Sequence, residues 1–342
     1  MSILRRVSCA ASATSDARRA TRSPPSLRRC ALVNFRPAST PISDSGSTTL
    51  EILRDKSAMR HRASALRAAG ARVGFVPTMG ALHAGHFSLL ERARPGCDQV
   101  VLSIFVNPLQ FGAHEDLGRY PRDLDADLAR LQGHGCDLVF APTADEMYAP
   151  DRSTRIDVGT LGDGLCGRSR PGHFQGVATV VAKLFNLVQP QVAVFGQKDA
   201  QQAVILNRMV RDLDWPVEMR VAPIVRDPDG LALSSRNVYL SVGERREALL
   251  LHESLHVARA AVVAGERRVE SILDAMRRHL ATGPEVRLDY VEVVDPADLQ
   301  VRVRLEGRCL IAIAAYVGAT RLIDNWVLDV RGVEVVNAGL LG

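Results

Sequence analysis

The sequence contains no run of about 20 apolar residues, the length that an α-helix needs to cross a bilayer. It also lacks close cysteine pairs: six cysteines are scattered through 342 residues, without the spacing of a zinc site or the density of a disulfide scaffold. Hydrophobic residues make up 46% and charged residues 24%, as in ordinary globular proteins. These features predict a cytoplasmic protein without a membrane partner, folded as one large or two medium domains.

Acidic residues are scarce in residues 1–48, which hold eight arginines against Asp16 and Asp44. Because the whole chain carries a formal charge of +5, this excess of six leaves the remainder near −1. A folded part with almost no net charge argues against a nucleic-acid partner, because nucleic-acid-binding surfaces are strongly basic. The segment lacks apolar periodicity, so we expect a disordered basic extension. The composition of this segment resembles that of an organellar transit peptide. A start codon assigned too early is the favoured explanation. An arm that contacts polyanions is a third option.

From residue 50 onward, apolar segments alternate between two periodicities. Helices are predicted at residues 50–54, 59–69, 87–94, 124–132, 177–187 and 200–210. Strands are predicted at residues 73–76, 100–106, 137–140, 192–195 and 217–221. This alternation predicts an α/β fold with a Rossmann-like, doubly wound and mostly parallel sheet.

The pattern changes after about residue 225. Two helices are predicted at residues 243–264 and 269–280, followed by strands at 288–294, 308–316 and 320–327. This order predicts a smaller C-terminal α+β domain with an antiparallel sheet. We therefore place one domain at residues 49–224 and the second at residues 225–342.

His83 and His86 fall between a predicted strand and a predicted helix. Such turns bind phosphates in α/β folds, because the unpaired amides of the first helical turn and the positive end of the helix dipole face the ligand. Histidines three residues apart share a helix face, so both imidazoles can contact one nucleotide. Gly80 and Gly85 leave room for close backbone approach. Taken alone, a glycine-bearing loop with incidental histidines is the alternative.

Polar residues follow two further strands at the same sheet edge. Asn107 and Gln110 come after the strand at 100–106, and their amides suit a carboxylate, a hydroxyl or an amine. Lys198 and Asp199 begin the helix after the strand at 192–195, and lysine is a compact charge for phosphate. Ordinary turn formation and a surface ion pair are the alternatives.

Two arginine-bearing segments complete the set. Ser234, Ser235 and Arg236 form a multi-donor phosphate clamp on a loop that can close over a ligand held by the first domain. An ordinary loop is the alternative. Arg168 and Arg170 precede the predicted helix at 177–187 and are interpreted either as anion ligands or as solvated side chains.

Together these segments resemble one family in order and spacing. The matching pieces are PTMGALHAGH, SIFVNPLQFG, RYPRDLDADL, RPGHFQGVATVVAKLFN, FGQKDAQQ and LSSRN. On them the chain resembles, from about residue 49 to 330, the pantoate–β-alanine ligases (pantothenate synthetases). This family belongs to the HIGH-motif nucleotidyltransferase superfamily, which also contains class I aminoacyl-tRNA synthetases.

The resemblance implies an enzyme that uses ATP and Mg²⁺ to turn pantoate into pantoyl adenylate, releasing pyrophosphate. β-Alanine then attacks the acyl carbon, giving pantothenate and AMP. Residues 49–224 are expected to bind the nucleotide and pantoate, and residues 225–342 to form a lid. A homodimer formed through the first domain is also implied. The magnesium ligands cannot be assigned, since phosphates and water supply most of them.

The resemblance also implies roles for individual residues. ATP is expected to contact Met79, Gly80, Ala81, Leu82, His83, Ala84, Gly85, His86, Gly196, Gln197, Lys198, Asp199, Val225, Leu233, Ser234, Ser235 and Arg236. Pantoate is expected to contact Gln110 and Gln202 with Asn107 beside them, and Gln110 also borders the β-alanine position. The expected catalytic residues are His86, His83, Lys198 and Arg236, with His86 in the family's proton-donor position.

Three positions depart from the family's pattern. The family often has Glu at Ala84, Tyr at Ala200 and Met at Leu233. None of these changes removes a predicted donor, so we expect activity to persist. Three alternatives stay open. The first is another HIGH-type nucleotidyltransferase with a different acceptor, although that function leaves the predicted pantoate contacts unexplained. The others are a nucleic-acid-binding protein that acts through its basic arm and an inactive paralogue.

Overall fold

The structure, a computed structural model, describes residues 50–113, 115–332 and 334–341. The disordered extension expected at residues 1–48 lies outside these residues. All of the described residues belong to one compact unit. In these ranges no helix combines the length and the apolar character needed to cross a membrane.

Helices and strands alternate through the first two thirds of the chain. The helices are α1 Lys56–Ala68, α2 Ala84–Ala93, α3 Leu124–Leu131, α4 Ala144–Met147, α5 Cys166–Ser169, α6 His173–Val188, α7 Ala200–Asp212, α8 Val242–Val263 and α9 Val269–Leu280. The strands are β1 Glu51–Leu53, β2 Val73–Thr78, β3 Gln99–Ile104, β4 Leu138–Phe140, β5 Val192–Gly196, β6 Glu218–Ala222, β7 Val286–Val294, β8 Gly307–Val317, β9 Thr320–Arg331 and β10 Glu334–Asn337.

Strands β1 to β6 form a parallel sheet in the order β1-β4-β3-β2-β5-β6. Helices α1, α6 and α7 pack on one face, and α2 and α3 pack on the other. Central strand β2 is buried on both faces, as its continuous apolar run predicts. Gly74 lets α2 approach this strand closely, because a Cβ there would lie 3.0 Å from the Ala93 carbonyl oxygen. The predicted Rossmann-like, doubly wound sheet is confirmed.

One sequence-based assignment in this part of the chain is wrong. Residues 50–54 do not form a helix: Glu51–Leu53 form β1, which pairs in parallel with β4. So short a segment cannot offset the cost of nucleating a helix, whereas pairing with β4 provides partners for its backbone groups. In addition, α6 begins at His173, four residues before the predicted start.

Strands β7 to β10 form an antiparallel sheet in the order β10-β9-β8-β7. Helices α8 and α9 cover one face of it through an apolar core. The other face packs against α7, where Val204 and Ile205 contact a cluster with Leu310 and Val327. The predicted C-terminal α+β arrangement is confirmed, although the sequence pattern does not predict β10.

Candidate active site

A cleft opens at the carboxyl ends of β2, β3 and β5, the edge at which parallel α/β sheets bind ligands. Residues that follow each of these strands line one side. Residues 223–225 and 233–236, which lead from the first sheet towards the second, line the other side.

His83 and His86 cap helix α2 with their own side chains. The Gly85 N–H donates to Nδ1 of His83 at 3.1 Å, and the His83 N–H donates to Nδ1 of His86 at 3.3 Å. This is a capping box in which two imidazoles replace the usual hydroxyl and carboxylate. A Cβ at position 85 would lie 2.8 Å from the His83 ring, which explains the glycine. Because both Nδ1 atoms accept, each neutral ring carries its proton on Nε2.

Both imidazoles are neutral near pH 7. Burial, followed by the positive charge of Lys198, lowers the pKa of His83 from 6.5 to about 4. Burial, followed by His83 and Lys198, lowers the pKa of His86 to about 3. Both rings line the cleft. They therefore offer Nε2–H donors to a ligand without adding charge of their own.

Helix α3 holds the loop that precedes α2. The carboxylate of buried Asp127 accepts from the Ala81 N–H at 2.8 Å and from the Leu82 N–H at 2.7 Å. Arg130, one helical turn later, donates to the Leu82 carbonyl at 2.9 Å. Gly80 has a φ of +86°, and a Cβ there would lie 2.8 Å from Asp127 Oδ2. The loop conformation thus depends on a side chain more than 40 residues away.

These contacts correct the expectation that free backbone amides bind phosphate at this turn. The amides of Ala81, Leu82 and Gly85 already donate to side chains of the protein. A ligand at the start of α2 therefore meets imidazole donors where the sequence pattern predicts amides.

Lys198 and Asp199 follow β5 in a short 3₁₀ turn and line the cleft. The Lys198 charge lies close enough to lower the pKa of both capping histidines. Asp199 is the one carboxylate among the described residues that line the cleft. Gln197 instead contacts the second sheet, where its Nε2 donates to Asn325 Oδ1 at 3.2 Å.

Arg236 is paired rather than free. Its Nε and Nη2 donate to the two Asp116 carboxylate oxygens at 3.0 and 2.9 Å. Its guanidinium lies 5.6 Å from the centroid of the Tyr120 ring, and the Tyr120 hydroxyl lies 3.1 Å from Ser235 Oγ. The predicted phosphate clamp is therefore held in place by the loop after β3, with Nη1 of Arg236 outside these bonds.

All four hydrogen-bonding positions of the buried Asn107 amide are occupied. Its partners are the Leu109 N–H, the Tyr148 hydroxyl, the Gly176 carbonyl and Gln110 Oε1. Gln110 therefore has its oxygen turned to Asn107, and its Nε2 lies 3.0 Å from Met79 Sδ in the cleft lining. Asn107 orients Gln110 so that the donor end of Gln110 faces the ligand space.

Sequence reasoning missed the apolar wall of the cleft. Helix α6 contributes Val177, Val180, Val181 and Leu184, and strand ends contribute Phe105 and Phe195. The α6 residues are spaced at i, i+3, i+4 and i+7, the interval at which helix residues share a face. That spacing is the sequence signal that identifies the wall once the helix is assigned.

Arg170, for which the sequence leaves anion binding and solvation as alternatives, lines the cleft together with His173, to which the sequence pattern assigns no role. Arg170 donates two hydrogen bonds to Glu115. His173 donates from Nδ1 to the Gln110 carbonyl at 2.8 Å, and burial lowers its pKa to about 4. Arg168 pairs with Glu292 instead. Both arginines are thus paired with carboxylates, and neither presents a bare charge to an anion.

Most predicted site residues come together. The structure brings to the cleft Met79, His83, Gly85, His86, Asn107, Gln110, Gly196, Lys198, Asp199, Gln202, Val225, Leu233, Ser234, Ser235 and Arg236. It leaves out of the lining Gly80, Ala81, Leu82, Ala84 and Gln197. Of the three departures, Ala84 is exposed, Ala200 is buried in the apolar contact of α7, and Leu233 lines the cleft.

The chain matches the family model for pantoate-beta-alanine ligase over residues 51–327. It is 51% identical over 282 residues to the pantothenate synthetase of Moorella thermoacetica, covering 82% of this chain and all of that protein. It is 56% identical over 256 residues to that of Acidobacterium capsulatum, covering 75% of this chain and 86% of the relative.

Solved structures show the same architecture. The pantothenate synthetase of Thermus thermophilus superposes with a TM-score of 0.76 at 48% identity, covering 81% of this chain and 98% of that one. The pantoate-beta-alanine ligase of Francisella tularensis, complexed with beta-gamma ATP and beta-alanine, superposes with a TM-score of 0.67 at 32% identity. That alignment covers 82% of this chain and 98% of that one.

Proposed function

The chain belongs to the pantoate-beta-alanine ligase family and joins pantoate to β-alanine using ATP, and we propose that the cleft described above carries out both steps. In the first step a pantoate carboxylate oxygen attacks the α-phosphorus of ATP. The bond from that phosphorus to the bridging oxygen breaks, and pyrophosphate leaves. In the second step the β-alanine amine attacks the acyl carbon of pantoyl adenylate, and AMP leaves with the formation of the amide.

In the first step, negative charge develops on the phosphate oxygens and on the departing pyrophosphate, so positive charge and hydrogen-bond donors must be placed next to them. The observation that carries the assignment is the convergence of two Nε2–H donors, the Lys198 cation and the Ser234–Arg236 clamp on one cleft. Fixed donors of this kind stabilise a transition state without reorganising. Because burial and nearby positive charge make the His86 ring neutral at pH 7 before the nucleotide binds, we assign its Nε2–H as a hydrogen-bond donor to phosphate oxygen.

The opposite side of the cleft suits pantoate, which has two methyl groups on one carbon and hydroxyl groups on either side of it. The apolar wall from α6 matches the methyl groups. Gln110 and Gln202 line the same cleft and supply amide donors and acceptors for the hydroxyl and carboxylate groups. Asn107 acts through Gln110, since its own amide is fully occupied.

Magnesium is expected with ATP, and the lining offers it oxygen donors. These are the Asp199 carboxylate and the hydroxyls of Ser234 and Ser235. In the described part of the chain no group of three or more His, Cys, Asp or Glu residues is placed to hold a metal. This donor set fits an ion that takes most of its ligands from phosphate and water. Bound magnesium would neutralise charge on the phosphates.

Residues 49–224 are proposed to bind ATP and pantoate, and residues 225–342 to act as a lid. Support comes from residues 233–236, which border the cleft from the C-terminal side. A homodimer and a cytoplasmic location are proposed on family membership. The four described cysteines, Cys97, Cys136, Cys166 and Cys309, are free thiols, which agrees with a reducing compartment.

Release of pyrophosphate and AMP from Mg-ATP tests this proposal directly. Both products are measured with pantoate alone and with pantoate plus β-alanine, for the full chain and for residues 49–342. Pyrophosphate that requires pantoate, and AMP turnover that requires β-alanine, are the expected results. Turnover with a different acid but not with pantoate would instead indicate another acceptor, and the absence of any turnover would indicate an inactive paralogue.

A further inference from the structure

We propose that His252 and His256 on helix α8 form a separate binding site for a divalent late-transition metal ion of the Zn²⁺, Ni²⁺ and Cu²⁺ class. The two histidines are four residues apart and therefore lie one turn apart on the same helix face. Their Nε2 atoms lie 3.1 Å from each other. Neither residue lines the cleft.

The distance between the two nitrogens matches that of a chelate. With metal–nitrogen bonds of about 2.0–2.1 Å and angles between 90° and 109°, two imidazole nitrogens on one ion are about 2.9–3.4 Å apart. Without a metal, the contact requires one Nε2–H to donate to the other ring. A metal ion that replaces that proton lies to one side of the line between the two nitrogens, so the rings turn towards it while the distance between the nitrogens stays about the same.

The Nδ1 side of the His252 ring faces a buried carboxylate. Its Nδ1 is buried and has no hydrogen-bond partner among the described residues, and it lies 3.8 Å from the Asp324 carboxylate. Asp324 is only 3% exposed and accepts two hydrogen bonds from Arg226, at 2.6 and 2.8 Å. The negative charge of the nearby Asp324 carboxylate favours a proton on Nδ1 of His252, and this tautomer leaves the Nε2 lone pair for the ion. His256 is exposed, so the ion can enter from solvent.

The same spacing, His-Glu-x-x-His, occurs on the zinc-binding helix of metallopeptidases. Here the intervening Glu253 is exposed and pairs with His279 at 3.1 Å. No third protein ligand accompanies the two imidazoles within the described ranges. The site therefore binds a metal through two imidazoles and water, and it lacks the third ligand and the general base of a peptidase.

Trp326 provides a direct signal for this site. The centroid of its ring lies 5.0 Å from that of His256 and 6.4 Å from that of His252. The other tryptophan, Trp215, packs against Phe185 in the core of the first sheet. In a Trp215→Phe variant of the full chain, Trp326 is the remaining tryptophan. Its fluorescence therefore reports on the surroundings of the two histidines.

The test is a titration of the Trp215→Phe protein with Ni²⁺, which quenches tryptophan fluorescence, followed by competition with Zn²⁺. Saturable quenching at one Ni²⁺ per chain, reversed by Zn²⁺ and not by Mg²⁺, is expected. His256→Ala should weaken the apparent affinity at least tenfold, whereas His61→Ala, at another exposed histidine, should leave it unchanged.

Two results would overturn the proposal: quenching that does not saturate, or equal Ni²⁺ affinity in His256→Ala and its parent. Because His256 is exposed, this variant is expected to fold, and an unchanged circular dichroism spectrum verifies that it has. Pantothenate formation with Mg-ATP tests the cleft separately, so failure of the metal site does not bear on the ligase assignment.

Discussion

The backbone N–H of His83 donates to the ring of His86, so the residue that caps helix α2 is itself capped by the second histidine of the motif. One pair of imidazoles thus has two tasks. Their Nδ1 atoms complete the first helical turn, and their Nε2–H groups face the cleft. Because the two tasks use different ring nitrogens, substitutions can separate them.

Substituting His86 by Asn or by Gln separates capping from catalysis. The Asn oxygen can take the place of Nδ1 and keep the cap, but it leaves no donor at the Nε2 position. The Gln amide nitrogen can reach the Nε2 position but gives up the cap. We expect His86→Asn to slow pantoate-dependent pyrophosphate release by about 10²–10³-fold, the usual cost of losing one transition-state donor. His86→Gln should retain more activity and lose more stability. Single-turnover adenylate formation and urea unfolding measure the two effects, and the reverse ranking would contradict the assignment.

The histidines also predict a pH dependence of stability. Their folded-state pKa values of about 4 and about 3 lie below the unfolded value of 6.5. Between these values the unfolded chain binds more protons, so the free energy of unfolding falls as the pH drops from about 6.5 towards 4. His86→Asn removes one such group and should show a shallower fall. Urea unfolding at several pH values between 7 and 4 compares the two proteins, and parallel curves would be inconsistent with a buried neutral His86.

We expect Lys198 to bind phosphate of the ligand and to lower the pKa values of His83 and His86. Lys198→Ala should depress adenylate formation strongly while leaving the fold intact. It should also raise the pKa of His83 and His86, since the Lys198 charge contributes to lowering both. Pyrophosphate exchange and NMR titration of the ring protons measure these effects. Normal adenylate formation would move the phosphate-binding role to another residue.

Asp127→Asn tests how the loop before α2 is held. An amide can accept from only one of the two loop N–H groups and turns its own donor towards the other. We expect a loss of about 1–3 kcal/mol in unfolding free energy for the unsatisfied buried group, with a raised KM for ATP. Asp125→Asn, at an exposed position of the same helix, is the matched control. If both variants behaved alike, the buried contact would have no special role.

Gly176→Ala tests the support of Gln110. A Cβ at this position would lie 2.2 Å from the Leu109 carbonyl oxygen, so the turn that carries Gln110 must move. We expect a destabilisation of about 1–3 kcal/mol and a larger rise in KM for pantoate than for ATP. Gly243→Ala, where the nearest atom is 4.0 Å away, should leave both constants unchanged. Equal changes in the two KM values would contradict the proposed link between Gly176 and pantoate.

The sequence by itself determined the parallel sheet, the change of architecture after about residue 225, and most residues of the cleft. These features are local. Alternating apolar segments define the strands and helices, and the carboxyl ends of parallel strands lie at one edge, so polar residues that follow β2, β3 and β5 must meet there.

Only the tertiary structure decided which donors of the site are free. Asp127 occupies loop amides that the motif alone presents as available, and Asp116 holds the guanidinium of Arg236. Gln197 lies within a matching motif but contacts Asn325 of the second sheet. Each of these contacts joins residues between 45 and 128 positions apart. Since periodicity and motif spacing describe only neighbouring residues, such pairings are settled when the two sheets and their loops pack together.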